Sequence, residues 1–114
     1  MTREFIHSKE FDDKWKNLLL TDTDLLELQN YLCKNPNAGD IMQGTGGIRK
    51  IRWSIQGKGK SGGVRVIYLD IVFAEKIYLL SVFAKNEKAN LSKAERNDFK
   101  SLVTLIKQEA KNGK

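Results

Sequence analysis

Four cations of this chain have the residue types and spacing for chemistry on a phosphate: Arg65, Lys85, Lys58 and Lys60. An arginine stays charged at any pH a folded protein meets, and its planar fork of donors suits the charge that builds on a phosphoryl group in a transition state. A lysine can also move a proton, because crowding by other cations or desolvation lowers its pKa. More positive charge lies around them. Arg49, Lys50, Arg52, Lys58, Lys60 and Arg65 fall in one stretch that contains no Asp or Glu. The chain carries 20 Lys and Arg against 14 Asp and Glu, a net charge of +6, so those six residues account for the whole excess. A positive field beside the glycine-rich run Gly57-Lys58-Gly59-Lys60-Ser61-Gly62-Gly63 suits a polyanion such as nucleic acid, because each neutralised phosphate releases condensed counterions. The plainer reading is an edge hairpin decorated with cations for solubility, and the lack of acidic interleaving argues against it.

Other chemistries are poorly supplied. The glycine run lacks the G-x-x-x-x-G-K-[ST] spacing of a nucleotide-hydrolase loop, since Gly62 is followed by Gly63 and Val64. Cys33 has no second cysteine to pair with, and no Cys/His grouping has zinc-like spacing, so neither metal nor cofactor is expected. The one histidine, His7, is far from the basic stretch in sequence and fits a structural role better than that of a general base. RNA, however, brings its own nucleophile. A protein that aligns the 2'-hydroxyl with the neighbouring phosphate needs neither a metal nor a nucleophilic side chain, and a cluster of Arg and Lys suffices in principle. Arg49, Lys50, Arg52, Asn86 and Lys88 are then candidates for gripping RNA. Tyr68 and Phe83 are candidates for stacking its bases, with burial an equal or better fit for both; Trp53 reads as core.

Positioning these residues requires a sheet. At 114 residues the chain is read as one domain spanning 1–114, long enough for a core without staples. It has no N-terminal apolar leader segment and no apolar run near the ~18 residues of a membrane span, so a soluble cytoplasmic protein with no membrane contact is expected. Phe5-Ile6 is a short strand. Ser8 caps a helix bearing Phe11, Trp15, Leu18 and Leu19, a stripe expected in the core. Thr21 and Asp24 open a second helix with Leu25, Leu28, Tyr31 and Leu32, ended by Asn35-Pro36. A polar, glycine-rich loop from Asn37 to Gly47 holds one short extended piece at Ile41-Met42. Ile51, Trp53 and Ile55 then alternate with Lys50, Arg52 and Ser54, placing a basic row on one face; Arg49 shares the apolar parity and snorkels at the strand's start. Val64 to Phe73 and Ile77 to Ala84 are apolar on both faces and read as central strands. Ser92 and Glu95 open an amphipathic C-terminal helix with Phe99, Leu102, Val103, Ile106 and Ala110. The fold class is α+β: two N-terminal helices, an antiparallel sheet of four to five strands and a C-terminal helix.

The central hairpin predicts where the cations meet. With Ala74 to Lys76 as a three-residue loop, Arg65 falls opposite Lys85; a two-residue loop puts Asn86 there. Like charges directly across a ladder repel, and such a pair makes sense with a phosphate between its members.

Three stretches resemble a known family: Gln43 to Arg52, the run Gly57 to Tyr68 with its G-G-x-R-x-I-Y pattern, and Tyr78-Leu79-Leu80 with Phe83-Ala84-Lys85-Asn86-Glu87. Together they resemble the HigB branch of the RelE/ParE toxin superfamily, over nearly the whole chain. The resemblance implies a RelE-like microbial ribonuclease fold and a type II toxin that enters the ribosome and cuts messenger RNA. It also implies a cognate antitoxin, HigA-like and bearing a helix-turn-helix domain. By the same resemblance Arg65 is the transition-state stabiliser, Lys85 contacts the scissile phosphate or the leaving oxygen, Lys58 and Lys60 form the basic loop, and Arg49, Lys50 and Arg52 form the basic strand. The chain departs from the pattern where a second arginine and a tyrosine follow the late lysine: it has Asn86, then Leu91 and Ser92. The terminal histidine of some HigB toxins is also missing. The general acid and base are therefore unassigned. Two other readings stand beside this one: a non-catalytic basic nucleic-acid-binding module, and a gyrase inhibitor of the ParE kind on the same fold.

Overall fold

The computed structural model describes residues 2–54, 63–84 and 91–112. Along the chain these form β1 (Glu4–His7), α1 (Lys9–Asn17), α2 (Asp22–Lys34), β2 (Asp40–Ile41), β3 (Arg49–Trp53), β4 (Val64–Ile71), β5 (Lys76–Ala84) and α3 (Lys93–Asn112). The helix starts follow from side-chain caps that satisfy otherwise unpaired N–H groups. Ser8 Oγ accepts from the Phe11 N–H at 2.9 Å and donates to the Leu80 carbonyl at 2.8 Å, so the cap of α1 also fastens it to β5. Thr21 and Asp24 form a reciprocal capping box on α2. Ser92 and Glu95 do the same ahead of α3. Helix α1 stops at Asn17, and Leu19, expected in the core, is instead 77% exposed with φ of 60° in the turn to α2.

Among the described residues the sheet has five strands in the order β1-β5-β4-β3-β2. It is mixed rather than wholly antiparallel, because β1 pairs with β5 in parallel. A parallel neighbour needs a crossover instead of a hairpin, and the chain from α1 through β4 supplies it. The two helices after β1 cover one face: Phe11, Trp15, Leu28 and Leu32 pack with Ile51, Val66, Tyr68 and Leu79. Helix α3 covers the other, where Val103, Ile106 and Ala110 pack with Ile67, Leu69, Ile71 and Leu80. β4 and β5 are thus buried on both faces, which is why they read as continuous apolar runs. Leu102, on the flank of α3, stays exposed.

The β4–β5 register differs from both sequence expectations. Val72–Ala74 form a 3-10 turn closed by Glu75 in the left-handed region, so Ile71 faces Lys76. An irregularity between Ile67 and Tyr68 shifts the ladder once more, and Arg65 falls opposite Phe83, not Lys85 or Asn86. The expectation failed because Val72 and Phe73 read as strand by apolarity, yet both are exposed in the turn.

One buried ion pair ties the first strand's lead-in to the centre of the sheet. Arg3 Nε donates to Asp70 Oδ1 at 2.7 Å and Arg3 Nη2 to Asp70 Oδ2 at 3.2 Å, with both side chains almost wholly buried. The hydrogen-bonded carboxylate raises the guanidinium pKa further.

Candidate nucleic-acid interface

Strands β3 and β4 pair antiparallel from Arg49↔Tyr68 to Trp53↔Val64, and this register sets Arg52 directly opposite Arg65. Partners in a ladder point to the same face, with Cβ atoms about 4.5–5.5 Å apart. Arg65 is in turn opposite Phe83, whose ring belongs to the α3-side core, so both arginines project on that face. Neither side chain makes a hydrogen bond or ion pair among the described residues. Lys50, paired with Ile67 of the same core, extends the row, and the basic face expected from the alternation of β3 is present. The strand ends at Trp53, Val64 and Ala84 adjoin the pair, and in sequence they flank the segments 55–62 and 85–90. Lys58, Lys60, Lys85, Asn86 and Lys88 belong to those segments and lie outside the described residues.

Three other candidates sit elsewhere. Arg49 is on the opposite face, with Nη1 donating to the Gly39 carbonyl at 2.6 Å and the Asn37 carbonyl at 3.3 Å, so it staples the incoming loop. Tyr68 offers no ring face to a base, because it is fully buried in the helix-side core. Its hydroxyl donates to the Pro36 carbonyl at 2.8 Å and accepts from the Gly39 N–H at 3.0 Å, and burial pushes its phenol above the ordinary value. Gly39 is glycine for this approach: an added Cβ would lie 3.0 Å from both the Lys50 carbonyl oxygen and the Tyr68 ring. Phe83 is likewise in the core, on the α3 side. Both rings follow the strand periodicity into the interior, which explains why burial outweighs stacking for them.

Sequence reasoning missed two contributors. Arg96 lines a hollow of about 310 Å³ together with Lys50, Gln43 and Leu91, extending the cationic row along α3. Its signal was the helical phase, since Arg96 precedes Phe99 by three and Val103 by seven residues on the core-facing side. The second is an aromatic pair, Tyr31 and Trp53, with ring centroids 5.2 Å apart. It was missed because Trp53 reads as core by parity. In fact it is only half-buried, because β2 pairs no further along β3 than Lys50 and, among the described residues, no strand covers the edge beside Trp53.

His7 has both ring nitrogens engaged, Nδ1 with Asp12 at 2.9 Å and Nε2 with the Gln29 amide at 3.0 Å, so it links β1 to α1 and α2. That arrangement gives it the structural role expected from its position. Among the described residues no helix is long and apolar enough to cross a membrane.

A RelE-like toxin is the class of protein that this sheet, sandwiched between a helical pair and a C-terminal helix and bearing paired arginines at one end, brings into view. The family model described as the RelE toxin of the RelE / RelB toxin-antitoxin system matches residues 4–113, and the chain belongs to that family. The fold is also similar to that of E. coli toxin RelE, solved in the free state with two arginines replaced by alanine. The TM-score is 0.54 at 17% sequence identity, over 92% of this chain and 99% of that one. The architecture is therefore α+β and RelE-like, and a toxin of such a pair implies a cognate antitoxin.

Proposed function

We propose that this toxin is a ribosome-dependent messenger-RNA endoribonuclease of the HigB-like branch. The observation that carries the reading is the Arg52–Arg65 pair: the two arginines are direct partners across a ladder, and neither side chain is ion-paired with a carboxylate of the described residues. Such a pair is destabilising alone and becomes favourable around a shared anion. A phosphodiester held there has its non-bridging oxygens against two planar donor forks. Attack by the adjacent 2'-oxygen forms the O2'–P bond and breaks the P–O5' bond. The 2'-hydroxyl proton leaves to a base and the departing O5' takes one up, giving a 2',3'-cyclic phosphate and a 5'-hydroxyl. Arg65, with Arg52 beside it, stabilises the negative charge that accumulates on the phosphoryl oxygens. Lys85 contacts the scissile phosphate or the leaving oxygen, and Lys58 and Lys60 hold the flanking backbone. No metal is needed for this chemistry, because the substrate supplies the nucleophile. Asn86 and Lys88, with Lys50, extend the grip on RNA.

The partner antitoxin in this reading is a HigA-like helix-turn-helix protein, a reading supported by the HigB-like pattern from Gln43 to Glu87. Addition of the purified toxin to a translating extract, followed by primer extension on the messenger, tests the assignment. Wild-type protein should create new 5' ends, and Arg65→Ala should reduce them by about 10²–10³-fold with the fold intact. Full cleavage by Arg65→Ala removes the mechanism, and an absence of new ends with wild-type protein leaves a basic binding module.

A further inference from the structure

A groove of about 850 Å³ opens at the edge of β3 that no strand of the described residues covers, and its lining comes from both faces of the sheet. On the α3 side its wall is Arg52 and Arg65; over the edge its wall is Tyr31 and Trp53. Tyr31 is 40% exposed although it lies one turn from the buried Leu28 on α2, and Trp53 is half-buried beside it. Glu27, one turn before Tyr31, also lines the groove on the aromatic side, and Asp40 of β2, the ladder partner of Lys50, lines it on the arginine side. The two ends therefore differ in chemistry. The arginine end, where Lys50, Arg52 and Arg65 outnumber Asp40, suits a phosphate, whereas the Glu27 carboxylate repels one and instead accepts hydrogen bonds from N–H groups. An exposed aromatic pair beside such an acceptor has the character of a nucleobase site, with a π surface for the ring and an acceptor for its polar edge.

We infer that Tyr31 and Trp53 form a stacking platform for one unpaired base of the RNA, next to the scissile phosphate held by Arg52 and Arg65. This deepens the endoribonuclease reading and rests on it. Stacking tolerates any base, so the platform fixes the position of the strand in the groove more than its sequence. With a base held at one end and the phosphate at the other, the backbone between them has little freedom to drift out of line.

Ribosomes programmed with a short messenger test this by single-turnover cleavage, with the intact messenger and with abasic nucleotides at each position flanking the cut in turn. Wild-type protein should lose about 5- to 100-fold in rate at one abasic position. Tyr31→Leu should show a similar loss on the intact messenger and no further loss at that position, while Tyr31→Phe, which keeps the ring, restores both behaviours. Tyr31→Leu cleaving the intact messenger at the wild-type rate overturns the platform, as does an abasic penalty undiminished in that variant. Failure of Tyr31→Phe to rescue overturns it too, because the hydroxyl rather than the ring would then matter. An unchanged cleavage rate with weakened antitoxin binding assigns the pair to a protein contact instead. Wild-type protein that cuts no messenger refutes the endoribonuclease reading itself, and the platform falls with it.

Discussion

Arg52 and Arg65 repel each other in the free protein, and that repulsion makes a prediction separate from activity. Arg52→Gln should raise stability by roughly 0.2–1 kcal/mol, the scale of a cross-strand charge pair. In urea titrations at low and high salt the gain should shrink as salt screens the wild-type pair; a loss of stability in this variant would mean that the arginines are neutralised by groups outside the described residues. Tyr68 makes a second prediction. Tyr68→Phe removes the acceptor for a buried Gly39 N–H and the donor to Pro36, at a cost of about 1–3 kcal/mol in urea unfolding. Burial raises the Tyr68 pKa in the folded state, so its contribution is fully present below the unfolded phenol's value of about 10 and is lost as pH rises beyond it. The Phe variant should therefore lose less stability than wild type between about pH 9 and 11, and parallel curves would contradict the account. At this scale the basic face of β3 was legible from the alternation of Lys50 and Arg52 with Ile51 and Trp53. The burial of Tyr68 and Phe83 was not decided by residue type, because an aromatic ring on a strand serves a core as readily as a base.

The elements owe their placement to contacts that can be broken singly. Removing one partner of a buried ion pair leaves an uncompensated charge in the interior, so Asp70→Ala should cost about 3–5 kcal/mol, with Arg3 stranded at the edge of β5. Replacing both residues together, Arg3→Met with Asp70→Leu, should recover most of that loss. If the single and double variants unfold at the same urea concentration, the pair is not what holds the lead-in of β1 to the sheet. Helix starts were legible because capping is local: Ser8, Thr21 and Ser92 announce their helices within four residues. Strand register was not. The β4–β5 turn hides a left-handed Glu75 and exposed Val72 and Phe73 inside an apolar run. The β3–β4 connection is too long for loop length to specify pairing, so the Arg52–Arg65 opposition emerged only with the structure. The parallel pairing of β1 depends on a crossover that no local pattern encodes.

Taken as one object, the protein sets Arg52 and Arg65 at the end of the sheet opposite the β4–β5 turn, and among the described residues no strand covers the edge of β3 beside them. That asymmetry was visible in the sequence as a run of cations without acids, and the α+β class was visible in the order of elements. The cradle was less visible, since it is assembled from β3, β4 and the flank of α2, which are distant in the chain. The central claim is that this end of the molecule holds one phosphodiester while the RNA's own 2'-oxygen cuts it. Mass spectrometry of the 3' ends of messenger cut on programmed ribosomes tests that claim most directly. The account predicts 2',3'-cyclic phosphate ends with wild-type toxin and their loss with Arg65→Ala; 3'-hydroxyl ends, which require attack by water instead of the 2'-oxygen, would contradict it.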